Sequence, residues 1–483
     1  MLFCIGQKRS IWRAGYKIGE DREATLKQYD VIVIGAGDVG LGIAFKAVSE
    51  GLKVALINKG NVGGTCVNDG CVPSKMLLSV ADRIVEIAEA KKMGINADIS
   101  SIDFDVIMER MRRVVGDSKA GIRREIENSE NLDYYSGVAH FVAGDLLQIE
   151  DMQLKGEKIF IAAGARPTIP PIKGLNEVNY LTNETVLDIH AIPQSLIIVG
   201  GGYIATEYGH FFASLGTKVT IVQRNKRLLP HEEPEISDLL RAEMENRMKV
   251  YTHVEVLEVQ QADAGCVLRI MGKDTGKIEE IASENIMVAT GRQSNADSLS
   301  VERAGIETDE ANFIKVDEYL KTGRDNIWAL GDAIGTQMFT HAGDKEAIIA
   351  WHNASSKEKI RMEFNSVPHA VFTYPQIASV GLTEEQAKKH YEILVGKAMY
   401  SDVVKGEAIM EEQGFAKAIV EKNTKRILGF HIIGPEASIL IQEVTNALTN
   451  KGDVNSITGN MHIFPAMSEL IVATLENLKE PDA

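Results

Sequence analysis

Two stretches of the chain repeat one pattern of apolar and polar positions. Tyr29 to Ile34, YDVIVI, is a short β-branched run that stops at Gly35-Ala36-Gly37-Asp38-Val39-Gly40; a helix-compatible segment follows to Glu50, then the apolar run KVALI from Lys53 to Ile57. Ser195 to Val199, SLIIV, leads in the same way into Gly200-Gly201-Gly202-Tyr203-Ile204-Ala205, a helical segment and the run KVTIV from Lys218 to Val222. Each copy predicts strand, glycine turn, helix and strand. In both, the residue after the second strand, Asn58 or Gln223, stands 23 positions beyond the first glycine.

One glycine turn at a strand end is weak evidence, since glycines there also make plain turns. Two copies in matching context predict two dinucleotide sites: only glycine lets the backbone approach a pyrophosphate, and the helix N-terminus behind it offers free N–H groups. Phe160 to Pro167, FIAAGARP, and Met287 to Arg292, MVATGR, are strand-to-glycine passages that fit as crossings between domains. Trp328 to Asp332, WALGD, predicts another buried strand, its Asp332 carboxylate accepting from a ligand hydroxyl or capping the next helix. From Val367 the pattern changes. Ala416 to Val420 and Ile427 to Ile432 predict an antiparallel hairpin, and Ala437 to Thr449 an amphipathic helix, in an α+β region suited to self-association.

The 483 residues leave room for two to four domains, and 45% hydrophobic with 25% charged residues is a globular composition. The net charge of -16 is spread along the chain, which argues against nucleic-acid or anionic-membrane partners. No apolar run reaches about 18 residues. The first 28 residues are interrupted by Lys8, Arg9, Arg13 and Lys17, unlike a secretory signal, and Glu20, Asp21 and Glu23 speak against an organelle-targeting segment. A cytoplasmic protein is expected.

Four cysteines are far too few for a disulfide scaffold, yet two of them, Cys66 and Cys71, share the stretch GGTCVNDGCVPSK just after the first module. Free buried thiols, half of a zinc site and a redox pair are the alternatives. A zinc site lacks a second Cys or His pair at suitable spacing, so no metal is expected. Residues five apart on a regular helix exceed the roughly 4.4–6.8 Å between Cα atoms that a disulfide requires, so a bridge needs distortion at Asn68, Asp69 and Gly70. So short and strained a bridge would be easily reduced and would constrain little of the unfolded chain, which favours the redox pair.

These motifs, with GGGYIATE, ATGR, IWALGDAIG, VFTYPQIASVGLTEEQA and ILGFHIIGPEASILIQE, resemble the flavoprotein pyridine nucleotide-disulfide oxidoreductases, nearest to dihydrolipoamide dehydrogenase, with mercuric reductases as relatives. The resemblance spans Tyr29 to about Glu476. It implies an α/β fold of two Rossmann-like domains and a C-terminal α+β dimerisation domain. Residues 1–28 would be an extension, 29–160 with 288–356 the FAD domain, 161–287 the NAD(P) domain and 357–483 the interface domain of a homodimer.

It further implies FAD on Gly35, Gly37, Gly40, Asn58, Gly64, Thr65, Gly164, Gly331, Asp332, Met338 and His341. Nicotinamide dinucleotide falls to Gly200, Gly202, Ala205, Gln223, Arg224 and Gly291. Electrons would pass from nicotinamide through flavin to a Cys66–Cys71 disulfide, with Cys71 facing the flavin and Cys66 attacking the substrate disulfide. Lys75 and Glu207 would form an ion pair beside flavin and nicotinamide, the plainer alternative being a surface salt bridge.

The departures from the family pattern carry expectations of their own. Asn58 replaces the acid that accepts from ribose hydroxyls, and Asp38 places a carboxylate in the phosphate turn unless it points outward as a cap. Gln223 replaces the Glu of an NAD site and is followed by Arg224, Lys226 and Arg227; loss of the acid lifts repulsion of a 2′-phosphate, which Arg224 can grip, so NADPH is favoured over NADH. Most consequential, the family's H-x-H-P-x-x-x-E reads His462-Ile463-Phe464-Pro465-Ala466-Met467-Ser468-Glu469 here. Phe464 holds the place of the base, Glu469 loses its imidazole, and His462 is either a substitute or a structural histidine. The expected activity is reduction of a lipoyl-type or other small disulfide. A quinone or metal-ion reductase that needs no positioned base, and a non-catalytic redox-sensing flavoprotein subunit, are the competing expectations.

Overall fold

The computed structural model describes residues 25–364 and 366–481. Of the 1–28 extension only Thr25 to Gln28 fall among these; the rest, with Cys4, lies outside the described residues. The first strand runs Thr25–Ile34, four residues ahead of its apolar run. Its early part is polar yet pairs in parallel with the strand Met152–Ile161, Thr25 beside Met152 and Gln28 beside Lys155. A backbone ladder, not an apolar pattern, sets that boundary.

The first sheet has the order Leu132–Ser136, Val54–Asn58, Thr25–Ile34 and Met152–Ile161; beyond Met152–Ile161 lie an antiparallel hairpin and, beside its C-terminal end, the short strand Ile327–Ala329. Val31, Ile32, Val33, Val54, Ala55 and Leu56 have no exposed surface. Strands of a parallel sheet buried on both faces read as unbroken apolar runs, and each such Val, Ile or Leu contributes about 1.5–3 kcal/mol of transfer free energy. The second sheet is all parallel: Lys249–Tyr251, Lys218–Val222, Ser195–Val199, Asn285–Val288 and Tyr180–Leu181. The helices Asp38–Ser49 and Tyr203–Ser214 follow the two glycine turns. The two predicted crossings lie side by side, Ala165–Pro167 pairing antiparallel with Arg292–Ser294.

The C-terminal region is a five-stranded antiparallel sheet in the order His369–Val371, Ile377–Gly381, Ile427–Ile433, Phe415–Glu421 and Ile393–Met399. The predicted hairpin is its third and fourth strands, and the predicted helix is Ala437–Thr449. One row across this sheet is polar: His369 lies opposite Ser379, Ser379 opposite His431, His431 opposite Lys417 and Lys417 opposite Lys397. Directly opposed residues share a face. This row meets an acidic segment of the second dinucleotide unit. Glu232 accepts from His369 Nε2 at 2.5 Å and Ser379 Oγ at 2.6 Å, and Lys417 Nζ reaches Glu233 at 2.8 Å and Glu235 at 3.0 Å, with Lys397 also on Glu235.

Candidate active site

The two glycine turns are built alike. Gly35 has φ +111°, and a Cβ there would lie 2.1 Å from Ala162 O; at Gly200, φ +131°, a Cβ would lie 2.1 Å from Ala289 O. Each turn thus packs against the strand-to-glycine passage that follows its unit, an approach that only glycine permits. Both open on one cleft of about 2960 Å³. A single small-molecule site occupies about 300–1000 Å³, so the space suits more than one cofactor-sized ligand.

Gly64 brings the thiol segment onto the first turn: it has φ +55°, and a Cβ there would stand 2.7 Å from Gly37 Cα. Gly40 is equally constrained, since a Cβ there would lie 2.0 Å from Gly35 O, while Gly37, Gly164, Gly202, Gly291 and Gly331 line the cleft. Ala205 is fully buried beneath the second turn. Asn58 lies where a ribose-binding side chain is expected, but its amide braces the turn itself: Oδ1 accepts from Ala36 N at 3.0 Å and Nδ2 donates to Gly60 O at 2.7 Å. Asp38 is exposed at the start of its helix and makes no capping bond.

The thiol stretch contains the break that the spacing calls for. A short helix, Gly64–Asn68, ends at Asp69, and a new helix, Cys71–Glu89, starts after Gly70, whose backbone (φ -133°, ψ -112°) leaves the helical region. Both cysteines are free thiols, with Cys71 at the first position of its long helix. Cys71 Sγ lies 3.5 Å from Thr340 Oγ1. The neighbouring Cys66 thiol, then the Thr340 hydroxyl and the Lys75 charge, outweigh burial and lower the Cys71 thiol to about 6; Cys66 is pushed well above its ordinary range, first by Cys71 and then by burial. At neutral pH the pair therefore holds one thiolate on Cys71 and one proton on Cys66.

Four positions down the same face, Lys75 Nζ donates to both carboxylate oxygens of Glu207, at 3.0 and 2.9 Å, and stands 4.3 Å from the centre of the Phe372 ring. Glu207 also accepts from Phe372 N at 3.0 Å and is buried. The pair is thus a half-buried clamp joining the thiol helix, the second glycine helix and the C-terminal region, and not a surface salt bridge. Asp332 caps nothing; burial raises its carboxyl, opposed by Arg292, whose Nε is 3.4 Å away. Arg292 also donates to Thr65 Oγ1 at 3.2 Å and Ala165 O at 2.7 Å. Met338 and His341 line the cleft, with His341 Nε2 donating to Pro368 O at 2.7 Å.

At the second unit, Gln223 is buried, and a Cβ on Gly201 would sit 2.6 Å from its Nε2. Arg224 is exposed at the cleft rim and its carbonyl accepts from Lys273 Nζ at 2.9 Å, which brings a second cation to the same place. Arg227 is instead held by Asp238 at 2.8 and 3.1 Å. Lys273 sits on a distant hairpin, so nothing in the local sequence announces it. Glu346 was equally hidden: fully buried, raised to about 7 by burial, it accepts from Gly331 N at 2.6 Å and fixes the turn beside Asp332.

The description "pyridine nucleotide-disulphide oxidoreductase" matches residues 29–357, and the dimerisation domain of the same family matches residues 367–475. The chain belongs to the pyridine nucleotide-disulphide oxidoreductase family. It is 34% identical over 467 residues to a mycothione reductase of Mycobacterium tuberculosis, covering 94% of this chain and 100% of that one. Identity to a mercuric reductase of Lysinibacillus sphaericus is 32% over 472 residues, 95% and 86% of the two chains. Among solved structures, a Cu(II) complex of the HOCl-induced flavoprotein disulfide reductase RclA from Escherichia coli superposes with TM-score 0.83 at 27% identity, covering 93% of this chain and 99% of that one.

Members of the pyridine nucleotide-disulphide oxidoreductase family are NAD(P)H-dependent flavin disulfide oxidoreductases. The residues present fit FAD: a Cβ at Gly35 or Gly40 would strike backbone, and Arg292 Nε is buried with no hydrogen-bond partner, Asp332 approaching it only to 3.4 Å. In the dimerisation domain, Phe464 is 71% exposed between Ile463 and Pro465. His462 is engaged elsewhere, Nε2 with Glu443 Oε1 at 2.9 Å and Nδ1 with Asn460 O at 3.2 Å. Glu469 accepts from Ala466 N at 3.1 Å. Among the described residues no helix is long and apolar enough to cross a membrane, and no cluster of three or more His, Cys, Asp or Glu is arranged to hold a metal.

Proposed function

We propose that this protein is an FAD-dependent, NADPH-linked reductase that works as a cytoplasmic homodimer and delivers electrons through Cys66 and Cys71 to a small disulfide, a lipoyl-type compound being the type substrate. The observation that carries the reading is the placement of a low-pKa Cys71 and of Lys75, clamped by Glu207 of the second glycine helix, on one helix between two glycine turns that share a cleft. The chemistry that FAD supplies when bound is relay of an electron pair between nicotinamide and the Cys66–Cys71 disulfide. The chain's own part is to hold Cys71 as thiolate against that site and keep the proton on Cys66. Lys75 is held in place by both carboxylate oxygens of Glu207. Met461, Ile463, Phe464 and Ile439 are more than two-thirds exposed, an apolar patch suited to burial against a second copy.

One observation favours a second reading of the acceptor. Cys66 must lose its proton to attack a disulfide, yet Phe464 cannot take it and His462 is bound to Glu443. An acceptor that needs no positioned base, such as a quinone or a metal ion, avoids that step. Steady-state oxidation of NADPH and NADH against lipoamide, glutathione disulfide and a benzoquinone separates the two. Disulfide turnover exceeding quinone turnover sustains the first reading; turnover with quinone alone transfers the conclusion to the second.

Two further results are expected. In holoprotein reduced anaerobically with NADPH, the long-wavelength absorbance of a thiolate against flavin should grow as pH rises through about 6, because Cys71, with its pKa lowered, is a thiolate above that value and a thiol below it. Titrating the band between pH 5 and 8 measures this. Arg224→Ala should raise KM for NADPH by about ten-fold or more and leave NADH within about two-fold, the loss of a charge-assisted bond to the 2′-phosphate. Equal effects on both nicotinamides would remove Arg224 from the phosphate site.

A further inference from the structure

The helix that starts at Cys71 meets the second glycine helix along one polar stripe. Lys75, Asp82 and Glu89 stand seven residues apart, two turns each, and so lie on one face of Cys71–Glu89. Lys75 is paired with Glu207 of the helix Tyr203–Ser214, and Asp82 Oδ1 lies 2.9 Å from Nε2 of His210, about one turn further along that same helix. Glu89 Oε2 accepts from the Tyr374 hydroxyl at 2.7 Å. The first of these pairs lines the cleft; Asp82 and His210 lie outside it.

His210 has no exposed surface, and both ring nitrogens are engaged. Arg247 Nη1 lies 2.8 Å from Nδ1, with Ser214 Oγ 3.4 Å from the same nitrogen. A guanidinium has only N–H groups to offer, so Nδ1 accepts, and the ring proton sits on Nε2 and is donated to Asp82. A second ring proton would point at the Arg247 cation. Burial first, opposed by the Asp82 bond and reinforced by the Arg247 charge, lowers the imidazole below its ordinary pKa. Arg247 also donates from Nη2 to Tyr374 O at 2.6 Å, and the Tyr374 ring stacks on His210 with centroids 6.2 Å apart at 28°. Two residues before Tyr374, Phe372 backs the other pair, its N–H on Glu207 and its ring beside Lys75 Nζ. One short stretch of chain thus supports both pairs.

We propose that His210, fixed in one tautomer between Asp82 and Arg247, is a positioning residue for the thiol pair: it pins the thiol helix to the second glycine helix and so keeps Lys75 on Glu207 and its charge beside Cys71. The proposal rests on the redox reading of Cys66 and Cys71. Lysine is a point charge on a flexible stem, and the Lys75 side chain is 38% exposed, so its bond to Glu207 alone is a loose joint that lets the two helices slide or turn. A second pin two turns away, about 10 Å along the helix, removes that freedom. Breaking it takes a charge-assisted hydrogen bond from Asp82 and another from Arg247.

Reduced holoprotein tests this without turnover. With dithiothreitol as anaerobic reductant, the long-wavelength thiolate-to-flavin absorbance is titrated between about pH 4 and 9; in the parent its midpoint is the Cys71 value, about 6. His210→Phe keeps a planar ring and removes both hydrogen bonds, and is expected to raise the midpoint by about 0.5–1 in pH as the Lys75 charge moves away from the sulfur. Asp82→Leu, at the more open end of the pair with 28% of its side chain exposed, should do the same and covers the case in which the His210 variant fails to fold. His210→Gln, whose amide can donate to Asp82 and accept from Arg247, should keep the midpoint within about 0.2 of the parent. Arg112→Gln breaks a different tie between the first domain and the second, from the helix Phe104–Asn128 to the carbonyls of Leu187 and Ile189; it should lower thermal stability and leave the midpoint in place. Parent protein with no such absorbance at any pH would sink the redox reading itself. A parental band whose midpoint stays put in His210→Phe and Asp82→Leu, or moves as far in His210→Gln or Arg112→Gln, would overturn the positioning role alone.

Discussion

Cys71→Ser protein is expected to take up FAD normally, to show no long-wavelength absorbance on anaerobic reduction with NADPH, and to lose disulfide turnover on the order of 10³-fold or more. The expectation follows from the division of labour between the two sulfurs. Cys71 is the one held as thiolate, by Cys66, Thr340 and Lys75, at the first turn of a 19-residue helix whose N-terminus favours negative charge. A serine there keeps the size and the bond to Thr340 but cannot form a bridge to Cys66, so the electron pair has no place to rest. Flavin reduction by NADPH should survive, since the Lys75–Glu207 clamp is untouched. A variant that retained the band, or that reduced disulfides within ten-fold of the parent, would remove Cys71 from the redox pair.

Phe464→His is expected to move activity in the opposite direction, raising disulfide turnover about ten- to a hundred-fold, within the roughly 10²–10⁴ that a positioned general base supplies. Phe464 is 71% exposed in its own subunit, so the change disturbs no core of that subunit. Glu469 lies five residues on and now accepts from Ala466 N, so it is near enough in sequence to orient a new imidazole. The gain should appear with lipoamide and glutathione disulfide and be absent with a benzoquinone, measured side by side. No gain with any disulfide would mean that proton removal from Cys66 does not limit this enzyme, and would favour the acceptor that needs no base.

What could be read in advance was whatever is encoded within about fifty residues of chain. The paired modules, their 23-residue spacing and the buried parallel strands are local patterns, and they appear where they were expected. The thiol stretch was legible because its glycines and two cysteines are contiguous. Residues that act across the fold gave no such signal. Lys273 reaches the Arg224 carbonyl from a hairpin, Glu346 supports Gly331 from a later helix, and His369 finds Glu232 across 137 positions. Asn58 was legible as the residue at the ribose-binding position, but the bonds that its amide makes to Ala36 N and Gly60 O were not. Thr25 to Gln28 were assigned to the extension because their polarity hides a ladder made by backbone alone.

The charged seam between the acidic segment and the C-terminal sheet bears on how this polypeptide can be divided. Glu233 and Lys417 are both almost wholly withdrawn from water and answer each other at 2.8 Å. A sheet that covered Glu233 without a cation opposite it would leave that charge buried and uncompensated, a loss of about 3–5 kcal/mol, a large fraction of a domain's stability. Swapping that sheet for one from a relative would therefore succeed only if the incoming strands carry a cation at the place of Lys417.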